Sequence, residues 1–244
     1  MTLLKAGQKI EVFVRHCHYS EVSAHKKRFS GYSTRRCFEN LISTSTPDKV
    51  SITFLLDTFY PMQEPHFLTV QRAFPVVSFK GGTETASFLY LLDYVASLNL
   101  SPKTIVYFLE EDYLHRPDWA RILQEGFSIP GVDYVTLYDH RDKYTAAMYA
   151  DLTARLFCTP SCHWRTTPST TNTYAMRFGT LIRDMQTHRA FSLDCRVSRD
   201  HEKFCALREK GALLISSVPG FSTHAEPAYA SPCHPWGDYF FNKE

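Results

Sequence analysis

The chain reads as an α/β protein of strands alternating with helices, and three observations predict it. Short apolar runs rich in β-branched and aromatic residues recur at residues 10–14, 50–56 and 105–109. Strands buried on both faces read this way. Helical apolar spacing separates them, clearest in Phe88, Leu91, Leu92, Val95 and Leu98,. Each of the three runs stops at polar or acidic residues, and the carboxyl ends of strands are where open α/β sheets place ligands.

Composition narrows the class. At 244 residues, with 44% hydrophobic and 21% charged, the chain suits one large folded domain or two small ones, not a disordered segment,. A net charge of +2 gives no strong field toward nucleic acid or an anionic membrane,. The seven cysteines follow no repeating spacing and are odd in number, which fits free thiols in a reducing compartment,. No apolar run reaches membrane-spanning length, and residues 1–8 lack a signal-peptide core,. The expectation is a soluble, cytoplasmic protein.

After a frayed start over residues 1–9, the first strand runs into Arg15, His16, Cys17 and His18, a cluster suited to an anion or simply a polar loop. Residues 21–45 are basic, then helical around Cys37, Phe38, Leu41 and Ile42. The second strand ends in Asp57, where nucleotide-binding folds often hold a ribose or base edge,. A third strand over residues 73–79 contains Pro75 and so belongs near a sheet edge,. Lys80, Gly81 and Gly82 lead to Thr83, a candidate helix cap,. Backbone amides at such a start can take a phosphate, although an ordinary loop-to-helix turn reads the same.

The stretch 104–123 organises the rest. Its buried strand ends in Glu110, Glu111 and Asp112, and Pro117 fits the first turn of a helix,. An extended backbone would put Glu110 and Asp112 on one face. Paired carboxylates then call for a proton or a hard divalent cation. A solvated acidic strand end is the simpler alternative. Residues 134–138 form another strand, and residues 163–174 combine hydroxyls with Trp164 and Arg165, suiting a polyol or a threonine-rich edge strand,. Asp200 reads as the cap of a helix that stops at Gly211,. A last strand, residues 212–218, precedes His224, and the proline-interrupted tail carries aromatics that must dock or form a lid.

Taken together, VFVRHCHYS, FLEEDYLHRPDW, HWRTTPSTTNTYA, SRDHEKF and GFSTHAE resemble the GT-A glycosyltransferases. The similarity is strongest to the small glycosyltransferase domains of large algal viruses and bacteria. It implies one GT-A, Rossmann-like domain over residues 1–244, with a mostly parallel central sheet flanked by helices. Residues 10–112 would form the nucleotide-sugar half, 113–226 the acceptor and catalytic half, and 227–244 a tail or lid. Glu110, Glu111 and Asp112 fall at the family's DxD motif, implying Mn²⁺ or Mg²⁺ held by Asp112, Glu110 and the late His224.

The resemblance further implies that Arg15 and Asp57 hold the nucleotide. Lys80, Gly81, Gly82, Glu110 and Glu111 would complete the donor site, and Trp164, Arg165 and Thr167 the acceptor site. Asp200 falls where inverting members carry the base that deprotonates the acceptor. The implied reaction moves a sugar from a UDP-type nucleotide-sugar to a glycan or other hydroxyl acceptor. A metal-dependent phosphodiesterase or nuclease, and an inactive nucleotide-sugar-binding module, stay open as alternatives.

Overall fold

In the computed structural model, residues 9–61 and 64–240 are described. The start of the chain before residue 9 and the tail aromatic Phe241 lie outside the described residues. In chain order the first elements are β1 (Ile10–Cys17), α1 (Thr34–Thr44), β2 (Val50–Asp57), α2 (Phe67–Val70), β3 (Val76–Phe79) and α3 (Glu84–Ser97). Next come β4 (Ile105–Glu110), β5 (Tyr113–His115), α4 (Trp119–Gly126), β6 (Tyr134–Thr136), α5 (Asp142–Thr145), β7 (Leu156–Cys158) and β8 (His163–Thr166). Then follow β9 (Tyr174–Arg177), α6 (Phe178–Ala190), α7 (Asp200–Glu209), β10 (Leu214–Val218) and β11 (Ser222–His224).

The main sheet of the described residues has the order β3-β2-β1-β4-β9-β6-β10-β8-β7. Strands β1, β2, β3, β4, β6, β7 and β10 point one way, and only β8 and β9 run against them. The result is a single α/β domain with a mixed, mostly parallel sheet flanked by helices. Strand β3 is the expected edge strand. The parallel register sets Cys17 opposite Asp57 and Arg15 opposite Glu110, so the carboxyl ends of β1, β2 and β4 meet in one place.

Side-chain alternation fills both faces. Val12, Val14, Phe54, Leu56, Tyr107 and Leu109 pack on one side with Leu41 of α1 and Trp119, Ile122 and Leu123 of α4. Phe13, Leu55, Val106 and Phe108 point to the other side, against Phe88, Leu91 and Val95 of α3 and Phe204 of α7. Each fully buried Leu or Phe contributes about 1.5–3 kcal/mol, so the two-sided burial dominates the stability of this frame. A third cluster holds the tail: Trp236 and Phe240 pack with Cys37, Leu114 and Ala225, so these tail aromatics are docked.

Local chemistry accounts for the element ends. Ser33 caps α1 by accepting from the Arg36 amide, and Thr83 caps α3 by accepting from the Ala86 amide. Gly211, at φ +89°, ends the α7 turn as expected. Two expectations fail here. Helix α4 starts at Trp119, with Asp118 at φ +66° before it, so Pro117 lies outside the helix. Asp200 is the first residue of α7, not its cap; Arg199 holds the cap position and makes no side-chain cap bond.

Candidate functional site

The three acids do not share an extended backbone. β4 ends at Glu110, the chain turns at Glu111 and Asp112, and β5 begins at Tyr113. Each carboxylate therefore takes its own partners. Glu110 Oε1 accepts from Arg15 Nη2 at 2.9 Å. Glu111 Oε2 accepts from the Cys17 amide at 2.9 Å. Asp112 Oδ2 accepts from Arg28 Nη2 at 2.8 Å and lies 2.8 Å from His224 Nε2.

Burial and the nearby charges separate the two carboxyls in acidity. Burial lifts Glu110 to about 7, with the negative charges of Asp112 and Glu84 adding to the rise against the pull of Arg15. Burial also opposes ionisation of Asp112. There His224, Lys26 and Arg28 win, and its carboxyl is held well below the usual carboxylate range,.

A short second sheet brings His224 to Asp112. Strands β5 and β11 pair antiparallel with His224 opposite Tyr113, the residue that follows Asp112. On its other side, His224 Nδ1 lies 3.5 Å from Glu226 Oε2. Two ligands at right angles on an ion, each about 2.1 Å from it, stand about 3 Å apart. The Asp112–His224 separation fits that edge, and Glu226 is placed to orient the imidazole. Among the described residues no group of three or more His, Cys, Asp or Glu side chains is arranged to hold a metal. Asp112 and His224 would by themselves supply two ligands to such an ion,.

Asp57 and the glycine loop hold each other. Asp57 Oδ1 accepts from the Gly81 amide at 2.9 Å and Oδ2 from the Gly82 amide at 2.7 Å. These amides are consequently not directed at a phosphate, which corrects the cradle expected at Gly81 and Gly82. A side chain at Gly81 would meet Asp57 Oδ2 at 2.8 Å, so glycine is required for this approach. Lys80 is exposed and does not line the cavity.

Arg15 is 6% exposed, clamped between Glu84 Oε1 at 3.1 Å and Glu110 at 2.9 Å. The clamp extends across the sheet. Glu84 Oε1 also accepts from Asn172 Nδ2 at 2.9 Å, and Glu84 Oε2 from the Ser198 amide at 2.8 Å. Asn172 Oδ1 accepts from Lys203 Nζ, which donates in turn to Asp200 Oδ1 at 3.0 Å. Lys203 is fully buried, with its ammonium 4.7 Å from the Phe88 ring centroid. Burial raises the Asp200 carboxyl above its ordinary value, helped by Glu84 and opposed by Lys203 and Arg15.

A cavity of about 340 Å³ lies over these groups, within the range of small-ligand pockets,. Around it the fold gathers Arg15, Asp57, Gly82, Glu110, Glu111, Asp112, Asp200 and His224. Lys26, Glu84, Tyr113, Thr171 and Glu226 also line it and were not singled out from the sequence. Gly81, Lys80, Trp164, Arg165 and Thr167 do not.

The polyol surface expected of residues 163–174 is not formed. Trp164 is 0% exposed, its indole against Gly126 in the core and its Nε1 donating to Thr159. Arg165 Nη2 donates to Asp139 at 2.7 Å, and the Thr167 hydroxyl donates to the Ser169 carbonyl. From that stretch, only Thr171 faces the cavity.

No family model matches this sequence, and no curated protein matches it either. Among solved structures, one similar chain is CMP:2-keto-3-deoxy-manno-octonic acid synthetase in complex with CTP. It is 13% identical with a TM-score of 0.49, over 90% of this chain and 94% of that one. No helix of the described residues is long and apolar enough to cross a membrane.

Proposed function

We propose that the chain is a GT-A-type glycosyltransferase, assisted by Mn²⁺ or Mg²⁺, that moves a sugar from a UDP-type nucleotide-sugar to a hydroxyl acceptor. One observation carries the reading. The acid-ended strands β2 and β4, the late His224 and the helix-opening Asp200 converge on one cavity at the carboxyl ends of the sheet. Asp112 and His224 would hold the ion, with Glu226 orienting His224. Bound there, a divalent ion neutralises charge on a departing diphosphate.

The chain's own residues have separable parts in this scheme. Arg15, fixed by Glu84 and Glu110, positions the floor of the donor site. Asp200, kept in place by the Lys203 ammonium at 3.0 Å, takes the acceptor proton as the sugar transfers,. Burial raises the pKa of Asp200 and so brings it nearer the operating pH, which favours a general base,.

A panel of nucleotide-sugars tests the assignment, with Mn²⁺ and a hydroxyl acceptor present and release of nucleoside diphosphate measured. Acceptor-dependent release from one of them is the expected result. Release of phosphate or nucleoside monophosphate instead, with no glycoside formed, would replace transfer by phosphodiester cleavage.

A further inference from the structure

A diphosphate entering this cavity must meet positive charge, and the groups first expected to supply it are committed elsewhere. The Gly81 and Gly82 amides donate to Asp57. Arg15 is clamped by Glu84 and Glu110, and Lys80 is exposed away from the cavity. Lys203 lies fully buried behind Asp200, and Arg196, at the exposed edge of the cavity lining, is paired with Glu21.

Two cations on the segment after β1 are placed differently: Lys26 lines the cavity, and Arg28, although not part of its lining, contacts the lining residues Asp112 and His224. Lys26 Nζ lies 3.4 Å and Arg28 Nη1 3.5 Å from His224 Nε2, while Arg28 Nη2 donates to Asp112 Oδ2 at 2.8 Å. The Arg28 guanidinium also stacks over the Tyr32 ring at 4.6 Å, which fixes its direction. Both heads thus converge on the atoms that a divalent ion would take.

We propose that Lys26 and Arg28 are the diphosphate-binding cations of this cavity, and that Asp112 and His224 hold them until the ligand takes them. The assignment rests on the nucleotide-sugar reading above. The planar fork of arginine suits phosphate and carboxylate alike, so moving Arg28 from Asp112 to a phosphate oxygen conserves its charge-assisted hydrogen bonds. The same move frees Asp112 Oδ2 and His224 Nε2. Removing Arg28 therefore has opposite effects on the two ligands: it weakens diphosphate binding and strengthens binding of a divalent ion alone.

Calorimetric titration with inorganic pyrophosphate, on metal-stripped protein in metal-free buffer, tests the first half. Arg28→Gln and Lys26→Gln should each weaken pyrophosphate by about tenfold or more, the worth of a hydrogen bond to a charged group. Lys27→Gln, at an exposed neighbour outside the cavity, should leave it unchanged. Titration with Mn²⁺ alone tests the second half, with Arg28→Gln binding several-fold more tightly than the parent. Unfolding midpoints are measured alongside. If Arg28→Gln does not fold, Lys26→Gln and Arg28→Lys decide by the same pyrophosphate titration. The proposal is overturned if pyrophosphate does not bind, if the folded variants bind it unchanged, or if Arg28→Gln fails to tighten Mn²⁺. Pyrophosphate carries neither sugar nor base, so this outcome is separate from glycosyl transfer. Binding without transferase activity would overturn the function alone, and transfer with unaltered variants would overturn this assignment alone.

Discussion

His224 Nε2 lies 2.8 Å from Asp112 Oδ2, although 112 positions separate them in the chain. The antiparallel pairing of β5 with β11 makes the contact, since Asp112 immediately precedes β5 and His224 ends β11. Glu226 Oε2 lies 3.5 Å from the opposite nitrogen of His224, so it should bias the direction of the ring,. Glu226→Gln is expected to weaken Mn²⁺ binding by about 10–100-fold. Titration of Mn²⁺ into the variant checks it, and an unchanged affinity would leave Glu226 without a part in orienting His224.

Asp200 caps nothing, so its substitution need not loosen α7. Asn at this position retains an oxygen for Lys203, whose buried ammonium needs one. Asp200→Asn should accordingly keep the fold while lowering kcat by about two orders of magnitude or more, with donor affinity nearly unchanged. Steady-state kinetics with the unfolding midpoint measured in parallel decides the matter. Normal turnover would reduce Asp200 to a counter-ion of Lys203.

Trp164 belongs to the core, so Trp164→Ala should act on stability and not on acceptor KM. The expected loss is about 3–5 kcal/mol, typical of an aromatic truncated in a packed interior. Denaturant unfolding reads it directly. A small stability change with a raised acceptor KM would instead restore the indole as a sugar platform.

Two fully buried histidines give a pH signature away from the cavity. His115 Nε2 lies 3.0 Å from the Tyr107 hydroxyl, and His188 Nε2 lies 3.1 Å from the Tyr134 hydroxyl. Burial pushes each imidazole down to about 3, with Lys203 adding to the effect at His188. The folded state thus keeps both neutral, whereas the unfolded chain binds protons from about pH 6.5 downward. Their stability contribution is complete above that value and falls by about 1.4 kcal/mol per pH unit per histidine as the pH drops toward 3. Unfolding midpoints between pH 7 and 4 should decline steeply, and His188→Gln should make the decline shallower. An unaltered slope in that variant would contradict the neutral buried imidazole.

The sheet was readable because its strands are short and apolar, and period-two alternation follows from burying both faces. Asp57, Asp112 and Asp200 were readable as candidates because each stands where a strand ends or a helix begins. Their partners were not. Residues 21–45 are visibly basic, yet only the folded loop shows Arg28 turning onto Asp112. The hydroxyl-rich stretch misled because composition cannot tell inward from outward. Thr170 donates to Thr136 and Asn172 to Glu84, so those side chains satisfy buried groups and do not present a surface. The glycine pair misled similarly, because nothing local to Gly81 and Gly82 names Asp57 as the acceptor of their amides.

The central claim is that one cavity binds a nucleoside diphosphate together with a divalent ion at Asp112. Calorimetric titration of UDP into metal-stripped protein, with and without Mn²⁺, tests it most directly. The account predicts that Mn²⁺ tightens UDP binding to the parent chain and that Asp112→Asn, with its unfolding midpoint measured in parallel, loses that enhancement. Equal affinity with and without Mn²⁺ in the parent chain would contradict it.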